Sequence, residues 1–340
     1  MTQAGDPDPR CSFYHQATPA TTYWRCTLPG KYLPGVVLPA DKMVAVLRED
    51  GRCNFPDMEN GVAVIQFPGD RGTSLVTMLA TAQGGKVFVE VDDNYIERGD
   101  ELWRKRSNWG QKIGGLQAHS VDGHRWICEH ATGVIVTTEA LAETYREHSD
   151  NVHVCRNSID PDDWPELVKP DDGVFRIGWY ASQSHDRDGV LVRRALAWAS
   201  RQPNVEIVNI GLNPPGWNFT RTWVPYAEDF VSLRPEMMKL DVGISPLVAT
   251  PASRFRSDLK PLEYAMGATL PVLQAAQPYA DWYDKPALMC WTEKDWEDRI
   301  KWCVRNQDEV REMGKQAREY VLLNRTFKTE IVRWKEALGV

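Results

Sequence analysis

Short apolar runs alternate along the chain with segments whose apolar residues recur at helical spacing, and glycines or prolines mark most joins. Gly61 to Phe67 is a continuous apolar run, the pattern of a strand covered on both faces. Thr73 or Ser74 is placed to cap a helix reaching about Gln83, Gly84-Gly85 stops it, and Lys86 to Val91 is the next strand. Strand, helix, strand in that order predicts a parallel sheet with a right-handed crossover. Strands are also predicted at Cys11–Tyr14, Gly133–Thr137 and Val152–Cys155, with a helix over Thr138–Tyr145 capped by Thr137 or Thr138. The second half repeats the alternation. Its predicted strands are Phe175–Tyr180, Val205–Gly211, Leu240–Leu247, Thr269–Leu273 and Ala287–Cys290. Its predicted helices are Gly189–Ala199 and about 293–305, 307–323 and 326–338, the last with Phe327, Ile331, Trp334 and Leu338 on one side. Residues 97–131 read as polar and helical, broken at Gly114-Gly115, and residues 1–10 as disordered.

At 340 residues the chain is long enough for two domains of roughly 150 residues each. Pro165 to Gly173, rich in Pro and Asp, reads as the linker, dividing residues 1–165 from 166–323, with a terminal helical segment over 324–340. The 42% hydrophobic and 26% charged content is that of a globular protein, and no apolar run approaches the ~20 residues of a membrane span. The polar, acidic N-terminus does not read as a signal peptide, and seven cysteines without a CxxC pair fit a reducing cytoplasm. A net charge of −7 argues against a broad nucleic-acid footprint. His119, His124, Cys128 and His130 are the one metal-like group; their uneven spacing favours packed or solvent-facing side chains over a zinc site.

The densest chemistry lies at Arg256-Ser-Asp-Leu-Lys-Pro-Leu-Glu-Tyr-Ala-Met-Gly267. Pro261 suits the first turn of a helix, Leu262, Ala265 and Met266 give it an apolar side, and Gly267 is placed to end it in a left-handed cap. Arg256, Ser257 and Lys260 then crowd a helix N-terminus, where free N–H groups and the dipole already favour an anion such as a diphosphate. Glu263, one turn further in, can accept from two neighbouring sugar hydroxyls. The same spacing also fits an ordinary helix start with an exposed Lys–Glu pair. Two more groups sit where strands end: Asp92-Asp93 after Lys86–Val91, and Ala181-Ser-Gln-Ser-His-Asp-Arg-Asp188 after Phe175–Tyr180. Ligands of open α/β sheets bind at such ends. Asp92 and Asp93 also read as a turn, a cap or a Mg²⁺ site. Ser182, His185 and Asp188 suit a phosphate loop, or a surface turn with a capping His.

The segment Ser245-Pro-Leu … Phe255-Arg-Ser-Asp-Leu-Lys260 … Leu262-Glu-Tyr-Ala … Gly267 … Pro271-Val272 … Tyr279 resembles the donor-site motif of retaining glycosyltransferases with the GT-B fold. It is most similar to the group 1, family 4-like branch that includes phage-encoded members. Tyr23, Arg25, Pro29 and Leu33, the Asp92-Asp93 pair, and the stretch from Gly133 to Trp164 resemble further blocks of that family, so the likeness extends over about residues 20–335. It implies two Rossmann-like domains with parallel sheets facing a cleft, and a last helix returning to the N-terminal domain. It implies a UDP- or GDP-sugar donor held through Ser182, His185, Asp188, Arg256, Ser257, Asp258, Lys260 and Glu263, with Glu263 on the ribose. Asp92 and Asp93 would act on the acceptor hydroxyl, Lys260 on the leaving diphosphate, and Tyr23 and Arg25 would lie on the acceptor side. No metal is implied. The acceptor stays open among a virion protein, a modified DNA base, a glycan and a small metabolite, in the cytoplasm of a host if the chain is phage-encoded. The chain departs from the pattern at Phe255, where a second glutamate is usual, at Arg256 for Lys, at Asp258 for Asn, and in a 181–188 loop whose only cation is Arg187. Those departures keep a nucleotide-sugar-binding protein without turnover open, beside a GT-B epimerase or hydrolase.

Overall fold

A computed structural model describes residues 11–15, 19–33, 35–39, 46–47, 53–54, 61–97, 120–182, 185–220, 222–226 and 230–340. The chain divides into two compact units, Met1–Asn157 with Glu330–Val340, and Ser158–Thr329. The expected N-terminal disorder, the Gly114-Gly115 break and His119 lie outside the described residues.

In the first unit, strands β1 (Cys11–His15), β2 (Gly35–Pro39), β5 (Val62–Gln66), β6 (Lys86–Val91), β7 (Gly133–Val136) and β8 (Val152–Val154) form one parallel sheet in the order β2-β1-β5-β6-β7-β8. A short antiparallel pair, β3 (Val46–Leu47) and β4 (Cys53–Asn54), stands apart. β5 is buried at every position, which is why it reads as an unbroken apolar run. The helix after it, Arg71–Ala82, is capped by Asp70, whose carboxylate accepts from Thr73 N at 2.9 Å and from the Thr73 hydroxyl at 2.8 Å. The expected Thr73 or Ser74 cap is thereby corrected: a charge-assisted acceptor one turn earlier outcompetes the hydroxyls. Thr138 does cap Glu139–Tyr145, accepting from Leu141 N at 3.3 Å.

The chain around Tyr23 is helical. A π turn, Tyr23–Thr27, joins the helical segments Pro19–Thr22 and Leu28–Tyr32. The terminal helix Phe327–Leu338 enters this unit from Glu330 onward, with Trp334 fully buried 6.1 Å from the Phe13 ring.

The second unit has its own parallel sheet. β9 (Phe175–Ala181), β10 (Val205–Gly211), β11 (Thr222–Pro225), β12 (Val242–Ser245), β13 (Leu270–Gln274) and β14 (Leu288–Cys290) run in the order β11-β10-β9-β12-β13-β14. Its core is built from Ile177, Trp179, Leu196, Ile207, Ile244, Val272, Trp296 and Ile300. The predicted helix over Gly189–Ala199 is in two pieces, a 3₁₀ turn at Asp188–Leu191 and an α-helix at Arg193–Ala199. Asp188, at the start of the 3₁₀ turn, is tied at both oxygens, to His185 and to Val248 N, and Trp217 packs close over Gly189, where a Cβ would stand 2.8 Å from its ring.

Chain order reverses between β9 and β12: the strands numbered 10 and 11 lie on one side of β9, and 12 to 14 on the other. Such a reversal splays the loops at the carboxyl ends of the two strands and opens a crevice there. Here the described residues of those loops are 182, 185–188 and 246–258, the last leading into the helix Leu259–Met266. β9 and β12 pair only at Ile177–Val242 and Gly178–Gly243. Beyond that the Tyr264 hydroxyl bridges them, accepting from Tyr180 N at 2.9 Å and donating to Ile244 O at 3.0 Å. Gly243 makes room for its ring; a Cβ there would stand 2.3 Å away. The helix closes with Gly267 at φ −79° and Ala268 at φ +47°, so the left-handed residue is one place later than expected. Gly267 earns its place through packing, 3.0 Å from Met238 Cα at the Cβ position.

Candidate active site

In the second unit the switch-point loops bring His185, Asp188, Arg256, Lys260 and Glu263 into one electrostatically coupled group. Asp188 is buried, and its two oxygens are used separately. Oδ1 accepts from Val248 N at 2.9 Å, and Oδ2 faces His185 Nδ1 at 2.6 Å. His185 Nε2 lies 3.4 Å from Arg256 Nη1, which can only donate. The imidazole is therefore neutral, protonated on Nδ1 and accepting from the arginine. Burial pushes its pKa down to about 3, with the Lys260 and Arg256 charges acting in the same direction and Asp188 opposing. The result is a relay, Val248 N–H to Asp188 to His185 to Arg256, that holds one guanidinium in place.

Lys260 and Glu263 sit one turn apart on the helix behind that guanidinium. Neither the Lys260 ammonium nor Glu263 Oε1 has a hydrogen-bond partner among the described residues, and both atoms are shielded from solvent. Burial and Arg256 lower Lys260 to about 7, against Asp188 and Glu263. Burial raises Glu263 to about 8, against the charges of Arg234 and Lys260. A buried cation and a buried carboxyl left without partners are costly, and native chains pair such groups unless a ligand does so. Tyr180, Tyr226 and Arg234 surround Glu263 closely enough to feel its charge. Arg234 is fully buried, donates to Asp163 O and lies over the Trp164 ring, 4.8 Å from its centroid. Nothing local in the sequence marks it.

Ser182 is exposed at the mouth of the loop, its carbonyl accepting from His185 N at 3.0 Å, and Ser257 is half-buried before the helix. Asp258 faces elsewhere. Its carboxylate is held by Arg325 and by Trp282 Nε1.

In the first unit, Asp92 and Asp93 stand half-buried at the carboxyl end of β6. Asp92 Oδ1 accepts from the Tyr95 hydroxyl at 3.1 Å, and Asp93 Oδ1 from Asn94 N at 2.8 Å. Beneath them runs a chain that sequence reasoning missed. Tyr95 N donates to the Tyr145 hydroxyl at 3.3 Å, which meets His124 Nε2 at 2.9 Å, while His124 Nδ1 meets Pro68 O at 2.5 Å. A carbonyl only accepts, so Nδ1 carries the proton and Nε2 accepts from Tyr145. His124 thus spends both nitrogens on the scaffold, and His130 stacks on Trp126 with ring centroids 4.0 Å apart. Among the described residues no group of three or more His, Cys, Asp or Glu could hold a metal ion.

Tyr23 packs edge-on against Trp24, with centroids 4.8 Å apart. Arg25 turns inward and is 1% exposed. It donates to Glu90 Oε1 at 2.5 Å, Cys155 O at 2.8 Å and Asn157 Oδ1 at 3.2 Å, and lies 5.0 Å from the Trp334 centroid. Burial raises Glu90 to about 7 against the pull of Arg25, with the Asp92 charge adding to the rise.

Two parallel sheets flanked by helices, the second with its polar groups at a switch point, place the chain in the class of two-domain Rossmann-like α/β proteins. Solved structures sharing this arrangement include GT-B glycosyltransferases. HepE from Anabaena, solved with UDP-glucose, aligns over 97% of this chain and 99% of its own at 12% identity and a TM-score of 0.65. Sucrose-phosphate synthase from Thermosynechococcus elongatus aligns over 96% and 98% at 12% identity and a TM-score of 0.60. TarM from S. aureus, solved with UDP, aligns over 83% of this chain at 14% identity and a TM-score of 0.56; the match spans only 56% of TarM. Identities this low define the fold. No family model and no curated protein matches the chain. No helix among the described residues is long and apolar enough to cross a membrane.

Proposed function

We propose that the chain is a glycosyltransferase: the second unit binds a nucleoside-diphosphate sugar, and the sugar passes to an acceptor hydroxyl with retention of anomeric configuration. The observation that carries this reading is the enclosed, unpartnered pair of Lys260 Nζ and Glu263 Oε1 beside Arg256. A diphosphate satisfies the two cations, and the vicinal hydroxyls of a ribose satisfy the carboxylate. The UDP and UDP-glucose in the TarM and HepE structures support UDP as the nucleotide, with GDP the alternative base.

As the bond from the sugar's anomeric carbon to the diphosphate oxygen breaks, negative charge grows on the leaving group. Lys260, Arg256 and the N–H groups of the helix start stabilise it there, the kind of preorganised electrostatics that dominates such catalysis. The acceptor oxygen forms the new bond and loses its proton; we assign Asp92 or Asp93 to orient that hydroxyl or take the proton. No protein nucleophile and no metal is assigned. The phage-branch resemblance suggests a virion protein or a modified DNA base in a host cytoplasm as the acceptor, with a glycan or a small metabolite equally open.

A second reading, a nucleotide-sugar-binding protein without turnover, draws on Phe255. It is 1% exposed and fills the place of the family's second glutamate with core. Thermal shift with UDP, GDP, ADP and dTDP tests the site. One nucleotide at about 100 times its Kd is expected to stabilise the protein by roughly 2.7 kcal/mol, and Glu263→Ala to abolish that shift. No shift with any nucleotide overturns the site. Release of free nucleotide from the matching sugar donor then separates the enzyme from the binding protein.

A further inference from the structure

Asp258 lies between the site's cations, two residues after Arg256 and two before Lys260, and its carboxylate is held by Arg325 and Trp282. It is 5% exposed. Arg325 grips it with both prongs, Nη1 to Oδ2 at 2.5 Å and Nη2 to Oδ1 at 3.0 Å, and Trp282 Nε1 donates to Oδ2 at 3.2 Å. Asp258 occupies the N-cap position of the Leu259–Met266 helix, but its side chain makes no capping bond. The start of that helix is held from outside.

The holder is itself fixed. Arg325 N donates to Val321 O at 2.8 Å, ending the helix Gln307–Asn324. Ile159 N donates to Arg325 O at 2.9 Å, and Phe327 N to Ile159 O at 2.7 Å, so two distant segments pair around it in a parallel bridge. A two-pronged guanidinium–carboxylate pair sets orientation as well as charge, which an ammonium cannot do. A bare carboxylate at this point would also repel a diphosphate.

We propose that Arg325 is a positioning residue for the nucleotide site. Through Asp258 it fixes the first turn that places Arg256 and Lys260, and it removes a negative charge from the diphosphate's position. This rests on the nucleotide reading above. The fork-shaped contact accounts for an aspartate here: the family's usual asparagine brings no charge to cancel.

The test is calorimetric titration of the full chain with UDP and with uridine, and with GDP and guanosine, below the melting temperature of every variant. Arg325→Met is expected to weaken the diphosphate about tenfold while leaving the nucleoside within twofold. Arg325→Lys, which keeps the charge and protects folding, is expected to weaken the diphosphate severalfold. Adding Asp258→Asn to Arg325→Met is expected to restore part of the lost affinity. A purely structural role would weaken nucleotide and nucleoside alike, and that outcome overturns the proposal, as does unchanged diphosphate affinity in Arg325→Met. A wild-type chain that binds neither nucleotide overturns the nucleotide reading and this inference together; a wild type that binds, with variants that match it, overturns the inference alone.

Discussion

Lys260 and Glu263 are the residues on which the proposed chemistry turns, and their protonation works in opposite senses. Lys260, lowered to about 7, is largely neutral in the empty site above that pH, and a diphosphate favours its charged form. Binding through Lys260 therefore takes up a proton and weakens as pH rises above 7. Glu263, raised to about 8, is largely protonated in the empty site below that pH, and two ribose hydroxyls donate best to the carboxylate. Binding through Glu263 releases a proton and strengthens as pH rises towards 8. In the wild type the two cancel, so nucleotide affinity is expected to be nearly flat between pH 7 and 8. Glu263→Gln exposes the first slope and Lys260→Met the second, each up to about tenfold per pH unit. Titration calorimetry in two buffers of different ionisation enthalpy reads the proton count directly. Slopes of the same sign in the two variants would contradict this assignment.

At the scale of elements, the helix Leu259–Met266 and the strands it joins were largely legible, because Pro261, the apolar spacing and the run Thr269–Leu273 are local signals. Arg256, Lys260 and Glu263 were legible for the same reason: they lie within eight positions of one another. Arg234, Arg325 and the Tyr145–His124 pair were not, since each acts on a residue brought near only by the fold, 67 positions away for Arg325 and Asp258. Local rules also misplaced two ends of helices. Asp70 outcompetes Thr73 as a cap, and Ala268 takes the left-handed turn assigned to Gly267. Asp258 matched the family motif by position, but its chemistry is decided by an arginine at the junction of two distant helices. Tyr264 shows how much rests on one atom from such an element. Its hydroxyl is the bridge between β9 and β12, so Tyr264→Phe leaves Tyr180 N–H and Ile244 C=O without that partner. A loss of about 1–3 kcal/mol is expected in chemical denaturation, with nucleotide affinity falling as the two loops loosen. Unchanged stability would show that other groups close the gap.

On the scale of the whole molecule, the second unit is one continuous stretch of chain and the first is not. The first unit is completed by Trp334, fully buried among Phe13 and Arg25. Trp334→Ala is expected to cost about 3–5 kcal/mol. In scanning calorimetry it should lower the transition that nucleotide does not raise, leaving nucleotide binding intact. A fall in the nucleotide-responsive transition instead would show that the two units do not melt as separate bodies.

That discontinuity has a consequence for how the protein is made. A ribosome delivers Phe13 and Arg25 first and Trp334 only after every residue of the second unit. The helix Gln307–Asn324, which packs on the second unit, and Trp334, which packs on the first, both lie in the last stretch to be made, so neither unit is complete until that stretch leaves the ribosome. The strands around Phe13 and Arg25 therefore pass nearly the whole of synthesis without the Trp334 ring that covers them.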